Sequence, residues 1–271
     1  DITISTAQKE LYNFGFSGLR YNWLSSKKIL ESYSYDIFVL DLSDCPIKLQ
    51  KEIKQRCNFL VGIDDWGMGP FVYDVVLRPN ILKLPPPKML ENGAKVYQGG
   101  EFILLNPEYS DLRITDKEKD VAENIFLCFG GSDPNDYTIR VSKILLKMTL
   151  SENMKFTVVL GPAFTQADKI NVLLGNKANF KIFQNPVNMI ELYNSCDTAI
   201  ISGGNLLYEA CALGIPSIAL AQEQEQHEET KLFSKRKAAI RPKDGMRADD
   251  QSIMKSIEEL LWNSEIRSEL I

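Results

Sequence analysis

The 271-residue chain is 44% hydrophobic and 25% charged, the mix of a folded globular protein, with too little glycine (16) and proline (12) for a collagen-like or disordered one. Its 31 basic and 36 acidic residues leave a net charge of −5, the wrong sign for a general nucleic-acid or anionic-surface binder. No apolar run approaches the length of a membrane span.

Residues 2–5 read as a strand, with no initiator methionine and no basic-then-apolar leader before them. Short apolar runs follow at 37–40, 59–63, 125–129, 156–160, 180–183, 198–201 and 218–221. They do not alternate with polar residues, which predicts parallel strands buried on both faces. Helix-like patterns lie between them at 47–55, 137–148, 166–174, 189–194, 206–213 and 225–233. A further helix at 250–262 sets Ile253, Ile257, Leu260 and Leu261 on one side, and a short one closes the chain. This βα alternation predicts doubly wound α/β architecture; a TIM barrel is the runner-up, fitting the strand count and uneven connectors poorly. Residues 79–123 break the rhythm with Pro85-Pro86-Pro87, Gly99-Gly100 and a charged stretch, which predicts a hinge near 110–122. Two Rossmann-like units are therefore expected, 1–119 and 120–271. The first has only two or three convincing strands and is expected to lack its opening βα unit.

Five scattered cysteines with apolar neighbours point to reduced thiols in a cytoplasmic protein. With His227 the single histidine, a histidine-built zinc site is not expected, nor is a cofactor. There is no Gly-x-Ser-x-Gly elbow for a serine hydrolase.

The sharpest local signal is Phe129-Gly130-Gly131-Ser132-Asp133-Pro134-Asn135, between a buried strand and a helix. Glycines there turn the chain tightly and bare N–H groups, while Ser132 or Asp133 suits a cap. A phosphate cradle and an ordinary tight turn both fit this pattern. The second signal is Ser202-Gly203-Gly204-Asn205, again between strand and helix, where the helix start favours a phosphate. Glu209 follows within the helix and suits a ribose diol. Past the next strand, Gln224 and Gln226 are candidates for a phosphate or sugar oxygen. His227 is a weak candidate base, because its neighbours Glu223, Glu225, Glu228 and Glu229 are expected to keep it protonated. In the first half Asp64 and Asp65 follow a buried strand and are weak candidates for catalysis. Asp41, Ser43, Asn80, Tyr97 and Tyr109 are further cleft candidates that also read as structural.

Taken together, Gly130-Gly131-Ser132, Ser202-Gly203-Gly204 and Tyr208-Glu209-Ala210-Cys211-Ala212-Leu213-Gly214-Ile215-Pro216, with the glutamine-rich run after them, resemble the C-terminal domain of two-domain GT-B nucleotide-sugar enzymes. The closer of two resemblances is to the nucleotide-sugar hydrolase of pseudaminic acid synthesis and its relatives in spore coat polysaccharide biosynthesis. The murein lipid-II N-acetylglucosaminyltransferase resembles the chain more distantly. The resemblance implies UDP, or a UDP-amino sugar, held mainly by the C-terminal half. Gly130, Gly131 and Ser132 would approach the ligand, and Ser202, Gly203, Gly204 and Asn205 would meet the diphosphate. Glu209 would hold the ribose hydroxyls, Gln224 the phosphate or sugar, and backbone near 183–187 the base. The implied activity is hydrolysis or transfer of the sugar in surface or spore coat polysaccharide synthesis. The hydrolase branch uses a histidine in an N-terminal Gly-x-Gly-His loop, which this sequence does not contain, and it has an aromatic residue where this chain reads Asp41-Leu42-Ser43. Two readings follow: a catalyst whose loop precedes Asp1, or a nucleotide-sugar-binding or regulatory protein without turnover. An α/β enzyme with an unrelated substrate is a third.

Overall fold

The computed structural model describes residues 2–4, 19–21, 34–42, 45–63, 67, 69–83, 85, 87–89, 93–111 and 120–270. The chain divides into two units, 1–103 and 104–271.

In the first unit, strands β1 (Ile2–Ile4) and β2 (Leu19–Tyr21) pair in parallel as a two-stranded sheet. A four-stranded parallel sheet has the order β3-β4-β5-β6: Tyr35–Asp41, Cys57–Ile63, Val75–Arg78 and Lys95–Gln98. Its register pairs Ile37 with Phe59, Val61 with Val75, and Leu77 with Tyr97. Helix α1 (Ile47–Lys54) packs Ile53 into a core with Leu60, Phe71, Tyr73 and Val76. Its buried Gln50 stitches two loops, donating to Cys45 O at 2.7 Å and accepting from Val72 N at 3.2 Å. Arg78 is fully buried, yet its guanidinium is satisfied by main-chain carbonyls of Gly67 (2.6 Å) and Pro85 (3.1 Å). A buried charge persists only with such partners.

The second unit contains β7 (Asn124–Cys128), β8 (Lys155–Leu160), β9 (Phe180–Gln184), β10 (Thr198–Ser202) and β11 (Ser217–Leu220). The sheet is open and all parallel, in the order β11-β10-β7-β8-β9, which excludes a barrel. The helices between are α2 (Tyr137–Leu145), α3 (Ala167–Leu174), α4 (Met189–Asn194), α5 (Asn205–Ala212) and α6 (Gln224–Lys235). After these come α7 (Asp250–Trp262) and α8 (Ser264–Glu269). One core joins Ile125, Leu127, Val158, Ile200 and Ile218 of the strands to Val141 and Leu145 of α2 and to Ile253, Ile257, Leu260 and Leu261 of α7. Those α7 positions recur at helical spacing and form a single stripe. Asp249 caps this helix by accepting from Ser252 N at 2.7 Å.

At the foot of the sheet the Asp197 carboxylate accepts from Glu123 N and Asn124 N, both at 2.9 Å, and so fastens β10 to β7. Arg267 of α8 donates to Leu260 O, Leu261 O and Asp120 O. The unit boundary falls before the 3₁₀ turn Pro107–Asp111. Tyr109 of that turn is buried against Tyr193 of α4, so the turn belongs to the second unit.

Candidate functional site

β7 and β10 are sheet neighbours from which the chain runs in opposite directions across the sheet, β7 towards β9 and β10 towards β11. Open parallel sheets bind ligands at the carboxyl ends of such a pair. Both glycine turns lie there. A Cβ built on Gly130 would stand 3.7 Å from Ser202 Oγ, so the two turns touch. Gly131, Ser132 and Asn205 are exposed, whereas Ser202 and Gly203 are buried. Gly204 takes φ 74° and ψ −148° as the residue before α5, a conformation that suits glycine alone among the usual residues. The first N–H groups of α5 have no intrahelical acceptor and point along the helix axis into this corner.

A third strand end completes the corner. Gly161 follows β8, and a Cβ there would overlap the Gly130 carbonyl and the Gly131 backbone. Asp133 braces the first turn from beneath. It is 3% exposed, and its carboxylate accepts from Tyr137 N (2.9 Å), Thr138 N (2.7 Å) and Gln222 Nε2 (2.8 Å). Gln222 also donates to Phe129 O at 3.1 Å, and its backbone N–H donates to Gln226 Oε1 at 2.9 Å. One network thus ties the 129–135 turn to the start of α6.

The glutamine set against the second turn is Gln226: a Cβ on Gly203 would lie 2.8 Å from its Cβ. Gln224 is exposed and donates to Glu228 at 3.1 Å instead. One helical step separates the two roles, because residues two apart on a helix face different ways.

Glu209 lies in the second turn of α5, partly buried. Burial raises its carboxyl pKa, and the hydroxyls of Tyr109 and Tyr193 oppose that rise. Cys128, at the end of β7, is pushed up to about 12, chiefly by burial. Glu209 is therefore a held carboxylate rather than a solvated one.

His227 differs from expectation. Its pKa is lowered, first by burial and then by the cations of Arg241, Lys231 and Arg247. Two of its four acidic neighbours in sequence have partners of their own, Glu228 pairing with Lys231 at 2.8 Å and buried Glu229 accepting from Tyr208 at 2.9 Å, and of the four only Glu228 opposes the lowering. His227 faces Arg241, whose Nη2 lies 3.3 Å from Nε2.

Asp64, Asp65 and Ser43 lie outside the described residues. Asp41 ends β3 and is exposed, and Asn80 is buried with Oδ1 accepting from Leu82 N at 2.6 Å. Backbone at 183–187 closes β9, where Val187 is fully exposed. Tyr193, Gly161 and Gln222 are absent from the sequence-based set. Gly161-Pro162 after a buried strand is the same signal that marked the other turns. Tyr193 carries no such signal, reading only as an apolar position of a short helix. Among the described residues no group of three or more His, Cys, Asp or Glu is placed to hold a metal ion. Nor is any helix among them long and apolar enough to cross a membrane.

This corner offers backbone N–H groups for an anion and a carboxylate for hydroxyls. No protein-family model matches the chain. It is 22% identical over 243 residues to the spore coat polysaccharide biosynthesis protein SpsG of Bacillus subtilis, spanning 89% of this chain and 72% of that one. It is 29% identical over 211 residues to an uncharacterized protein of Methanocaldococcus jannaschii, spanning 74% of this chain but only 43% of that longer protein. Among solved structures it resembles the S. aureus MnaA–UDP complex, with TM-score 0.56, 10% identity, and 93% and 77% of the two chains covered. It also resembles MurG of Acinetobacter baumannii, with TM-score 0.54, 14% identity, and 83% and 71% covered. The fold is GT-B, built from two Rossmann-like units.

Proposed function

We propose that this protein binds a UDP-linked amino sugar and cleaves its sugar–phosphate bond, passing the sugar to water or to an acceptor in surface polysaccharide synthesis. The observation that carries this reading is the meeting of the Gly130-Gly131 and Ser202-Gly203-Gly204 turns at the reversal of strand order, with Glu209 in the helix that follows. In this reading the diphosphate lies on the α5 start, near Ser202, Gly203, Gly204 and Asn205, while Gly130, Gly131 and Ser132 close over it. Glu209 accepts from the ribose hydroxyls. Gln226 takes the role expected of Gln224, because it is the glutamine beside Gly203.

The reaction breaks the bond between the anomeric carbon and the diphosphate oxygen as the new oxygen attacks. Charge grows on the departing diphosphate, and preorganised N–H groups stabilise it. Support for UDP comes from the MnaA complex, which shares the fold, and support for a polysaccharide product from SpsG. The test is calorimetric titration with UDP, using ADP, GDP and CDP as controls and Glu209→Ala alongside. Selective UDP binding that weakens in the variant, followed by release of UDP from UDP-N-acetylglucosamine, is the expected result. A folded protein that binds no nucleotide would overturn the reading.

A further inference from the structure

Three aromatic rings run outward from the centre of the second sheet to Glu209. Phe126 of β7 meets Tyr193 of α4 with ring centroids 4.3 Å apart and planes tilted by 32°. Tyr193 meets Tyr109 edge-on, with centroids 6.4 Å apart at 73°. Both tyrosines are buried, Tyr193 completely and Tyr109 to within 5%. The Pro107–Asp111 turn packs against α5, and the Tyr109 hydroxyl faces the Glu209 carboxyl. The Tyr193 hydroxyl faces the same carboxyl and makes no full hydrogen bond.

A fully buried phenol oxygen without a full bond is a cost that phenylalanine would avoid with the same ring packing. Its one beneficiary is the carboxyl it faces. An ionised carboxylate offers about four lone-pair sites; with both phenols engaged two are left, as many as a ribose diol has donors.

We infer that Tyr109 and Tyr193 are positioning residues that hold the Glu209 carboxylate in one orientation, with its remaining lone pairs open to the two hydroxyls of a ribose. This rests on the reading of Glu209 as the ribose acceptor. The groups that face Glu209 are these two phenols and the Cys128 thiol of β7, which burial keeps protonated. Removing either phenol leaves burial less opposed and raises the carboxyl's pKa further.

The experiment titrates the 271-residue chain with UDP and with 2′-deoxy-UDP across acidic to neutral pH. Wild type is compared with Tyr109→Phe, Tyr193→Phe, Glu209→Gln and the double variant Tyr193→Phe/Glu209→Gln. Each phenylalanine variant is expected to weaken UDP about three- to tenfold, shift the acid limb of binding to higher pH, and narrow the preference for UDP over its deoxy analogue. In the Glu209→Gln background, Tyr193→Phe is expected to add no loss. An unmoved acid limb, or losses that simply add, would overturn the inference while leaving Glu209 as acceptor. A wild type that does not bind UDP, or a Glu209→Gln variant with unchanged affinity, would sink the underlying reading and this inference with it.

Discussion

Asp133 bears the first glycine turn, and its replacement is the most direct test of how that turn is held. It sits at φ 46°, a left-handed conformation that aspartate and asparagine tolerate better than other L residues. Asp133→Ala removes the acceptor of three bonds, at 2.7, 2.8 and 2.9 Å. Two N–H groups of the first turn of α2 are then left buried without it. Hydrogen bonds to a charged group contribute about 1.5–3 kcal/mol each. They do not sum fully here, because the Gln222 amide keeps Phe129 O as an acceptor. The left-handed backbone costs alanine about 1 kcal/mol more. The expected net loss is about 4 kcal/mol for Asp133→Ala and about 2 kcal/mol for Asp133→Asn, which retains one acceptor oxygen and the backbone tolerance. Urea unfolding followed by far-ultraviolet circular dichroism measures both. An alanine variant within about 1 kcal/mol of wild type, or an asparagine variant as damaged as the alanine one, would refute the argument.

Gly161→Ala forces backbone against backbone at Gly130 and Gly131, so it is expected to cost about 1–3 kcal/mol and to weaken UDP binding. Gly131→Ala meets nothing within 4 Å and should leave stability near wild type; equal damage from the two would contradict the packing described. Glu209→Gln is expected to raise the melting temperature while weakening the nucleotide. The carboxyl's folded pKa lies above the ordinary 4.5, so its contribution is intact below that value and is lost as pH rises through the folded pKa. The gain in melting temperature should therefore appear at neutral pH and vanish near about pH 4, and a pH-independent difference would refute it. Cys128 and Cys211, pushed up to about 12 and about 11 by burial, should resist alkylation by iodoacetamide at neutral pH until the protein is unfolded; rapid labelling of either would show the site open to solvent.

Most of the second unit was legible in the sequence because its strands are buried on both faces and so read as unbroken apolar runs. Strands β5 and β6 were not. Val75–Arg78 is four residues long and ends in a charge, and Lys95–Gln98 alternates with polar residues between Gly93 and Gly99-Gly100. The glycine turns were visible as punctuation after those runs, and the chain topology brings them together. What the sequence hides is which side chains meet across it. Tyr193 and Glu209 belong to different helices, and neither pattern announces the other. His227 shows the same limit from the opposite side: four nearby acids in the chain suggest a protonated imidazole, while the fold turns it towards Arg241.

β7 comes first among the strands of its unit and ends in the middle of its sheet. One flank is covered early by β8. The other waits for β10, whose foot is fastened through residues 73 apart in sequence. Closing so long a loop costs chain entropy before any contact repays it. Until then Ile125, Phe126 and Leu127, fully buried in the finished sheet, line an open strand edge of the kind that pairs with other copies. Refolding of this unit should therefore be slow, with a yield that falls as protein concentration rises, and the Asp197 clasp marks the moment at which that edge is sealed.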